Sequence, residues 1–393
     1  MRAGDQGFES PQVRFKMSVL KDKRVITVVG SVLLGIVIIA IILFKYPFGE
    51  VISTFTNFTP VLVLAYLVVS GLIMLTLSFR WKVILDTLGH KVPFHKLVGY
   101  RIIGYGISYI TPSAKVGGEP VRAALLKRQG LSFREGLSSI MIDKIIELSF
   151  SALFFICGVV FLVLDYALPS RLFFLLIILS GLFLYLVWWF YSRIMRGETV
   201  FTKAFRFFRL HKLGFLAKYQ AIILNFEKPI IRFYKSQRKE FFITAGISLF
   251  SLVLSLVEYK LVLLMLGIKA PLGVVFLVFS LAGFAFLVPL PMALGSFEAF
   301  QVSLFSIIKL GPAAAGVGVA MITRSRDLLW VLGALVLAFY LGSFKNIISK
   351  AYKDKPVVSM GIIRNGRKHR LDVRINRLAY NQSSHGNPRR YRK

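Results

Sequence analysis

The sequence predicts an all-α polytopic membrane protein with about six to eight transmembrane helices and one or two re-entrant helical hairpins. Three observations predict it. Of 393 residues, 56% are hydrophobic, 36 are Phe, and only 17% are charged, a balance foreign to soluble chains of this length. The apolar residues come in uncharged blocks, the first two being Val25–Phe44 and Pro60–Phe79. Each is about 20 residues, enough at ~1.5 Å per residue to cross a hydrocarbon core of ~30 Å. Finally, two Pro/Gly-rich breaks interrupt the apolar pattern, around residues 111–120 and 289–298.

The elements follow in order. Residues 1–24 form a basic segment carrying Arg2, Arg14, Lys16, Lys21, Lys23 and Arg24, which places it on the cytoplasmic side. Val25–Phe44 reads as a first span of signal-anchor type, since no small-residue cleavage site follows it. The loop after it is poor in charge and holds the triplet Asn57-Phe58-Thr59. Pro60–Phe79 returns inward to a basic loop with Arg80, Lys82, Lys91 and Lys96. Leu97–Ile110 is too short and polar for a comfortable span, and the segment after it is rich in Lys and Arg. Both ends of this unit therefore face the cytoplasm, as in a re-entrant hairpin. Spans near 137–164 and 172–191 follow, then a connector over 192–240. Aromatic residues alternate there with Lys and Arg at helical spacing, the pattern of amphipathic helices on a membrane surface. The second half opens with a span near 241–266. Residues 271–308 read either as a hairpin from the outer side or as several crossings. A long final span, 313–341, contains Arg324, Arg326 and Asp327. The tail, 344–393, is basic, with an Asn365-Gly366 step that fits a small hairpin. The domain division is thus 1–24, a membrane domain over 25–343, and the tail.

Charge and cysteine usage narrow the function. The formal net charge is +32, but the basic residues flank spans, so membrane topology and anionic headgroups explain them better than nucleic acid does. Cys157 is the sole cysteine. It excludes an intramolecular disulfide and reads as a small core residue. No Cys/His metal cluster and no phosphate-binding G-x-x-x-x-G-K-[ST] motif occurs, and no cofactor is expected.

The two breaks are alike. Pro112 precedes Glu119 by seven residues, with Gly117 and Gly118 just before the glutamate; Pro291 precedes Glu298 by seven, with Gly295 between. About 25 residues after each glutamate comes a charged membrane helix, with Asp143, Lys144 and Glu147 in the first case and Arg324, Arg326 and Asp327 in the second. If one break faces inward and the other outward, the halves form a weak inverted repeat, as in transporters whose broken helices meet near the midplane. Pro120 suits the first turn of a helix starting near Glu119. Its free N–H groups, with Lys115 and Arg122, would suit a phosphate-bearing headgroup; an ordinary cytoplasmic loop is the other reading. Asp143, Glu147, Arg324, Arg326, Glu258 and Lys260 would line an interior polar path or serve as structural ion pairs.

These residues carry a resemblance. Pro112, Gly117, Gly118, Glu119, Pro120 and Arg122, followed by Asp143, Lys144 and Glu147, resemble the lysylphosphatidylglycerol synthase transmembrane-region family of flippase-like membrane proteins. Pro289, Pro291, Gly295 and Glu298 correspond to that family's second motif, and Arg324 or Arg326 to its late helix arginine. The sequence departs at Met292-Ala293, where the family usually has glycines, so this loop is expected to turn less tightly. The resemblance implies a domain that moves lipids between leaflets. In bifunctional relatives that domain sits beside a soluble aminoacyl-transferase domain; residues 344–393 leave no room for one here, so lysyl transfer is not expected.

The sequence thus points to a lipid translocator of the cell membrane, with both termini cytoplasmic. Lys115, Gly117, Gly118, Glu119, Arg122, Asp143, Lys144, Glu147, Glu298, Arg324 and Arg326 would contact the substrate, and Pro112, Pro120, Pro291 and Gly295 would shape the turns. Its partners would be anionic membrane lipids, not nucleic acid, and a homo-oligomer is left open. Two rivals remain: a membrane-embedded lipid transferase or hydrolase using Glu119, Asp143 and Glu147 as acid and base, and a scaffold that recruits partners through its basic connector and tail.

Overall fold

The structure is a computed structural model that describes residues 44, 48–53, 58–111, 117–165, 170–207, 220–283, 285, 290 and 293–341. The first expected span, the sequon asparagine, the tail, Pro112, Lys115, Pro289 and Pro291 lie outside these residues. The described residues are helical, without strands. The helices are α1 (Phe48–Ser53), α2 (Pro60–Thr87), α3 (Phe94–Ile110), α4 (Glu119–Leu126), α5 (Phe133–Asp165), α6 (Ser170–Met195), α7 (Val200–Phe207), α8 (Gln220–Ser236), α9 (Arg238–Met265), α10 (Leu272–Ala282), α11 (Ser296–Ile308) and α12 (Ala313–Tyr340).

Among the described residues, four stretches are long and apolar enough to cross a membrane: Pro60–Thr87, Phe133–Asp165, Phe173–Met195 and Arg238–Met265. Their outward faces carry large exposed apolar side chains, among them Phe174, Ile178, Trp188, Phe242 and Phe250. That is the surface a bilayer covers, not water. With α12, which has the length but carries three charges, they form an integral multi-pass helical bundle. Cys157 is on this exposed face, so the expected core position is corrected.

The second expected span was too short. α2 does not stop at Phe79 but continues to Thr87. Arg80 therefore lies inside the bundle, 1% exposed, rather than in a basic loop. Its helix continues because Trp81, Ile84 and Leu85 supply an apolar face that is fully buried.

α2 and α9 pack against each other in antiparallel fashion. Arg80 Nη1 reaches Ser248 Oγ at 3.0 Å near one end. Towards the other, Arg326 lies over the Tyr66 ring and bonds Glu258. Their C-terminal ends thus face opposite ends of the bundle, and each leads into a folded-back pair of short helices.

In the first pair, α4 returns along α3. Gly118 N–H donates to Ser108 Oγ at 2.8 Å near the tip, and Lys96 Nζ bonds Gln129 Oε1 at 3.2 Å at the base. A Cβ on Gly118 would stand 1.9 Å from the Gly104 carbonyl oxygen, so the two backbones touch in a way only glycine allows. In the second pair, α10 and α11 meet at their outer ends, where residues 267–271 and 308–310 line one cleft. At the tip, Ser296 Oγ donates to the Ala285 and Ala293 carbonyls. The ends of α10 and α11 and the residues beyond their other ends thus lie together, so the two helices run back along each other. At ~1.5 Å per residue, α10 and α11 reach about 16 and 20 Å, short of a ~30 Å core.

The second turn carries Ala293 where the resembled family usually has glycine. Ala293 has φ 47° and Gly295 φ 79°, both left-handed, and the alanine adopts this conformation at a cost glycine would avoid.

The connector contributes to the core. Ile230 and Phe233 of α8 are fully buried, and they join Ile84, Ile142, Ile146, Ile194 and Val200. Glu227 accepts from Phe201 N–H at 2.7 Å, Thr202 N–H at 3.1 Å and Thr202 Oγ1 at 2.6 Å. This carboxylate caps the first turn of α7, where negative charge is favoured. Part of the apolar face that the sequence assigned to a membrane surface is thus covered by protein.

Candidate functional site

The site begins with the chemistry that the bundle has to solve. Charged side chains at membrane depth are costly unless paired, and α2, α3, α4, α5, α9, α11 and α12 all carry them. Two ion-pair clusters result.

The first surrounds Asp143, 1% exposed. Its Oδ1 accepts from Arg80 Nε at 2.8 Å, and its Oδ2 accepts from Arg101 Nη2 at 2.7 Å and Arg122 Nη2 at 3.3 Å. Arg122 also donates to Glu119 Oε2 at 2.9 Å. Lys144 reaches Glu147 at 2.8 Å and Glu119 at 3.8 Å, and Glu147 lies 3.6 Å from Arg80. Arg122 stacks over Trp81, 4.1 Å from the ring centroid, and the Trp81 indole donates to Ser139 Oγ at 3.1 Å. Glu119 stands in the first turn of α4 with Pro120. The helix start is where the sequence places it, and its dipole already faces a carboxylate of the chain itself.

The second cluster lies at the other hairpin tip. Arg324 forks onto Glu298, with Nη2 to Oε2 at 2.8 Å and Nε to Oε1, and also reaches the Ala293 carbonyl at 3.0 Å and Tyr109 OH at 3.2 Å. Glu298 Oε2 accepts the Gly295 N–H at 2.9 Å, which fixes the turn before α11. One turn away, Arg326 bonds Glu258 at 2.6 Å and Asp327 at 2.6 Å. Lys260 turns away to the Ala270 carbonyl.

Helix α3 joins the clusters. Arg101, Tyr105 and Tyr109 are spaced four apart and share one face. Arg101 holds Asp143, Tyr105 OH donates to Asp327 Oδ1 at 2.7 Å, and Tyr109 meets Arg324. The two tyrosine rings stack, 6.1 Å between centroids. The result is a buried polar seam between hairpins that come from opposite ends of the bundle, and Arg324 touches both tips.

Two features of the seam stand out. Among the described residues, the first cluster pairs Arg80, Arg101, Arg122 and Lys144 with Glu119, Asp143 and Glu147, a formal +1. The second pairs Arg324 and Arg326 with Glu258, Glu298 and Asp327, a formal −1. Among the described residues, the buried polar side-chain atoms without a hydrogen-bond partner include Arg101 Nε and Arg122 Nε in the first cluster, and Glu258 Oε1 and the Tyr66 hydroxyl in the second.

The halves also correspond by position. Arg80 and Glu258 are both residue 21 of a 28-residue helix, and the next helix starts 14 residues after each. Arg80 pairs with Asp143 on the span after its hairpin; Glu258 pairs with Arg326 on the span after the other. The geometry is repeated with the charges exchanged.

Of the predicted site residues, Glu119, Arg122, Asp143, Lys144 and Glu147 come together in one cluster, with Gly117 and Gly118 at the adjoining turn. Glu298 and Arg324 form the second with Arg326 nearby. Sequence reasoning missed Arg80, which it counted with a loop, and Arg101, Tyr105 and Tyr109. The four-residue spacing on a short polar helix is the signal that could have found the last three. No group of three or more potential metal ligands occurs among the described residues.

Comparison with known proteins agrees with the resemblance. Residues 28–335 match the family described as Lysylphosphatidylglycerol synthase TM region. A UPF0104 membrane protein of Methanothermobacter thermautotrophicus is 24% identical over 337 residues, covering 82% of this chain and 97% of the relative. A second from the same organism is 24% identical over 303 residues, covering 72% and 85%. A UPF0104 membrane protein of Methanocaldococcus jannaschii is 28% identical over 149 residues, 35% of this chain and 43% of that relative.

Proposed function

The chain belongs to the lysylphosphatidylglycerol synthase transmembrane-region family, and from that premise we propose that it moves a phosphate-bearing lipid between membrane leaflets. The observation that carries the proposal is the buried polar seam between two opposed hairpins. A phosphate headgroup cannot cross ~30 Å of hydrocarbon alone. A seam of exchangeable ion pairs offers it donors at successive depths while the acyl chains remain in lipid. The first cluster would receive the headgroup. It has a net positive charge, and phosphate would draw Arg101 and Arg122 partly from Asp143 and Glu119. Arg324, which touches both hairpin tips, would separate the two sides. By the charge of the terminal segments, the first hairpin would open to the cytoplasm and the second to the outside of the cell membrane.

The carboxylates of the seam are all engaged with basic side chains. That favours a binding path over general acid and base chemistry on the lipid.

Headgroup accessibility in proteoliposomes tests the proposal. The wild type is expected to speed exposure of fluorescent anionic phospholipids from the inner leaflet, and Glu119→Gln and Arg122→Ala to abolish it. Acceleration that survives both variants would retain transport and remove this site. No acceleration by folded protein across several headgroups would remove transport.

A further inference from the structure

Glu258 is not explained by headgroup binding. It is 8% exposed and lies in the cluster whose charge an anion would worsen. Its Oε2 is held by Arg326 at 2.6 Å, whereas its Oε1 is buried without a partner. The groups facing it are Arg326 and Asp327 from α12 and Tyr66 from α2; Tyr105 from α3 is engaged with Asp327. Arg326 is already shared between Glu258 and Asp327, so among the described residues two carboxylates share one guanidinium here.

We infer that Glu258 is a proton-binding site whose occupancy is coupled to the anion site at Asp143. The orphaned Oε1 and the local −1 point to a cation. The smallest one fits: a proton taken up from the solution at Oε1 makes a neutral carboxylic acid and leaves the Oε2 contact with Arg326 in place. A larger cation would need several oxygens around Oε1, and no group of three or more metal-ligating side chains stands there among the described residues. The complement lies across the seam, where a +1 cluster with two orphaned arginine donors awaits an anion. One monoanionic headgroup and one proton together cancel both imbalances. Binding them as a pair introduces no net charge into the membrane, which removes the largest electrostatic cost of either alone. Between them lie Arg101 and Tyr105 on α3, with Tyr105 bonded to Asp327, which shares Arg326 with Glu258. The coupling rests on the headgroup-binding part of the proposed function; the proton site itself does not.

The test therefore has two readouts on the full chain in detergent. Infrared difference spectra between alkaline and acidic buffer read the site without lipid. The wild type is expected to gain a protonated-carboxyl band that Glu258→Gln lacks and Glu258→Asp displaces; the aspartate variant keeps the assignment testable if the amide variant fails to fold. In weakly buffered solution with an indicator dye, short-chain phosphatidylglycerol is then added. About one proton is expected to be taken up per lipid bound, without any lipid having to cross a membrane. A wild-type band that persists in Glu258→Gln would overturn the site. Lipid binding without proton uptake, or uptake replaced by a sodium requirement, would overturn the coupling. Proton uptake in a protein that moves no lipid between leaflets would uphold this inference and remove the translocation reading instead.

Discussion

Replacing Asp143 with Asn should be the most damaging single change to the seam. Three arginines contact its carboxylate, at 2.8, 2.7 and 3.3 Å. An amide would leave four buried cations facing two carboxylates, raising the local charge from +1 to +2. Removing one partner of a buried ion pair costs about 3–5 kcal/mol, chiefly because the remaining charge stays desolvated. Asp143 is 1% exposed and Arg80 likewise, so water cannot relieve it and the cost should fall in that range. Arg80→Gln should cost a similar amount. The double variant should cost less than the sum by about 2 kcal/mol, since neither group is then left alone. Unfolding in detergent followed by tryptophan fluorescence measures all three. Trp81 is a local reporter, packed under Arg122 and bonded to Ser139. Additive losses in the double variant, or a loss for Asp143→Asn below about 1 kcal/mol, would refute the reasoning, because they would mean that water reaches the cluster.

Other expectations follow from the geometry. Gly118→Ala should prevent closure of the first hairpin, since its Cβ would overlap the Gly104 backbone, whereas Gly71→Ala, with nothing within 4 Å, should leave the melting temperature in detergent unchanged or raised. Ala293→Gly should stabilise by about 1 kcal/mol, because φ is 47° and glycine adopts left-handed backbone without that penalty; denaturant unfolding reads this. Arg324→Lys should slow lipid exposure in proteoliposomes about tenfold, since an ammonium cannot fork onto Glu298 while holding Tyr109 and the Ala293 carbonyl. Hydrogen bonds from Lys203 and Arg193 lower the Glu198 carboxyl to about 2. Because that value is depressed, the link is present above the ordinary carboxylate range and is lost as pH falls through it towards 2. Protection from hydrogen exchange around residues 193–203, corrected for the intrinsic pH dependence of amide exchange, should thus be constant from pH 8 to 5 and fall below about pH 3; pH dependence of transport between 5 and 8 must then arise elsewhere.

The hairpins and the clusters differ in how far a linear reading reaches. The membrane class, the spans near 137–164, 172–191 and 241–266, the break before Glu119 and the matching break before Glu298 are all local. They depend on blocks of apolar residues and on the backbone demands of Pro and Gly, which act over a few neighbours. The pairing of Lys144 with Glu147 was legible from their spacing of three on one helix, whereas the gathering of Arg122 onto Asp143 was not. Arg80 was not legible. It follows an apolar block at the point where a loop charge and a buried charge look identical, and only the packing of Trp81, Ile84 and Leu85 keeps the helix going past it.

By itself, then, the sequence determined that the chain is a helical membrane protein, where its helices break, and which side chains are too costly to leave unpaired. The tertiary structure decided which of them pair. It brought Arg80 to Asp143 and Glu258 to Arg326, set the two hairpin tips on either side of Arg324, and left one cluster positive and the other negative. The physical reason is range: apolar periodicity and turn chemistry act over a few residues, whereas a buried charge is balanced by whatever the fold carries to it, here from 63 and 68 residues away.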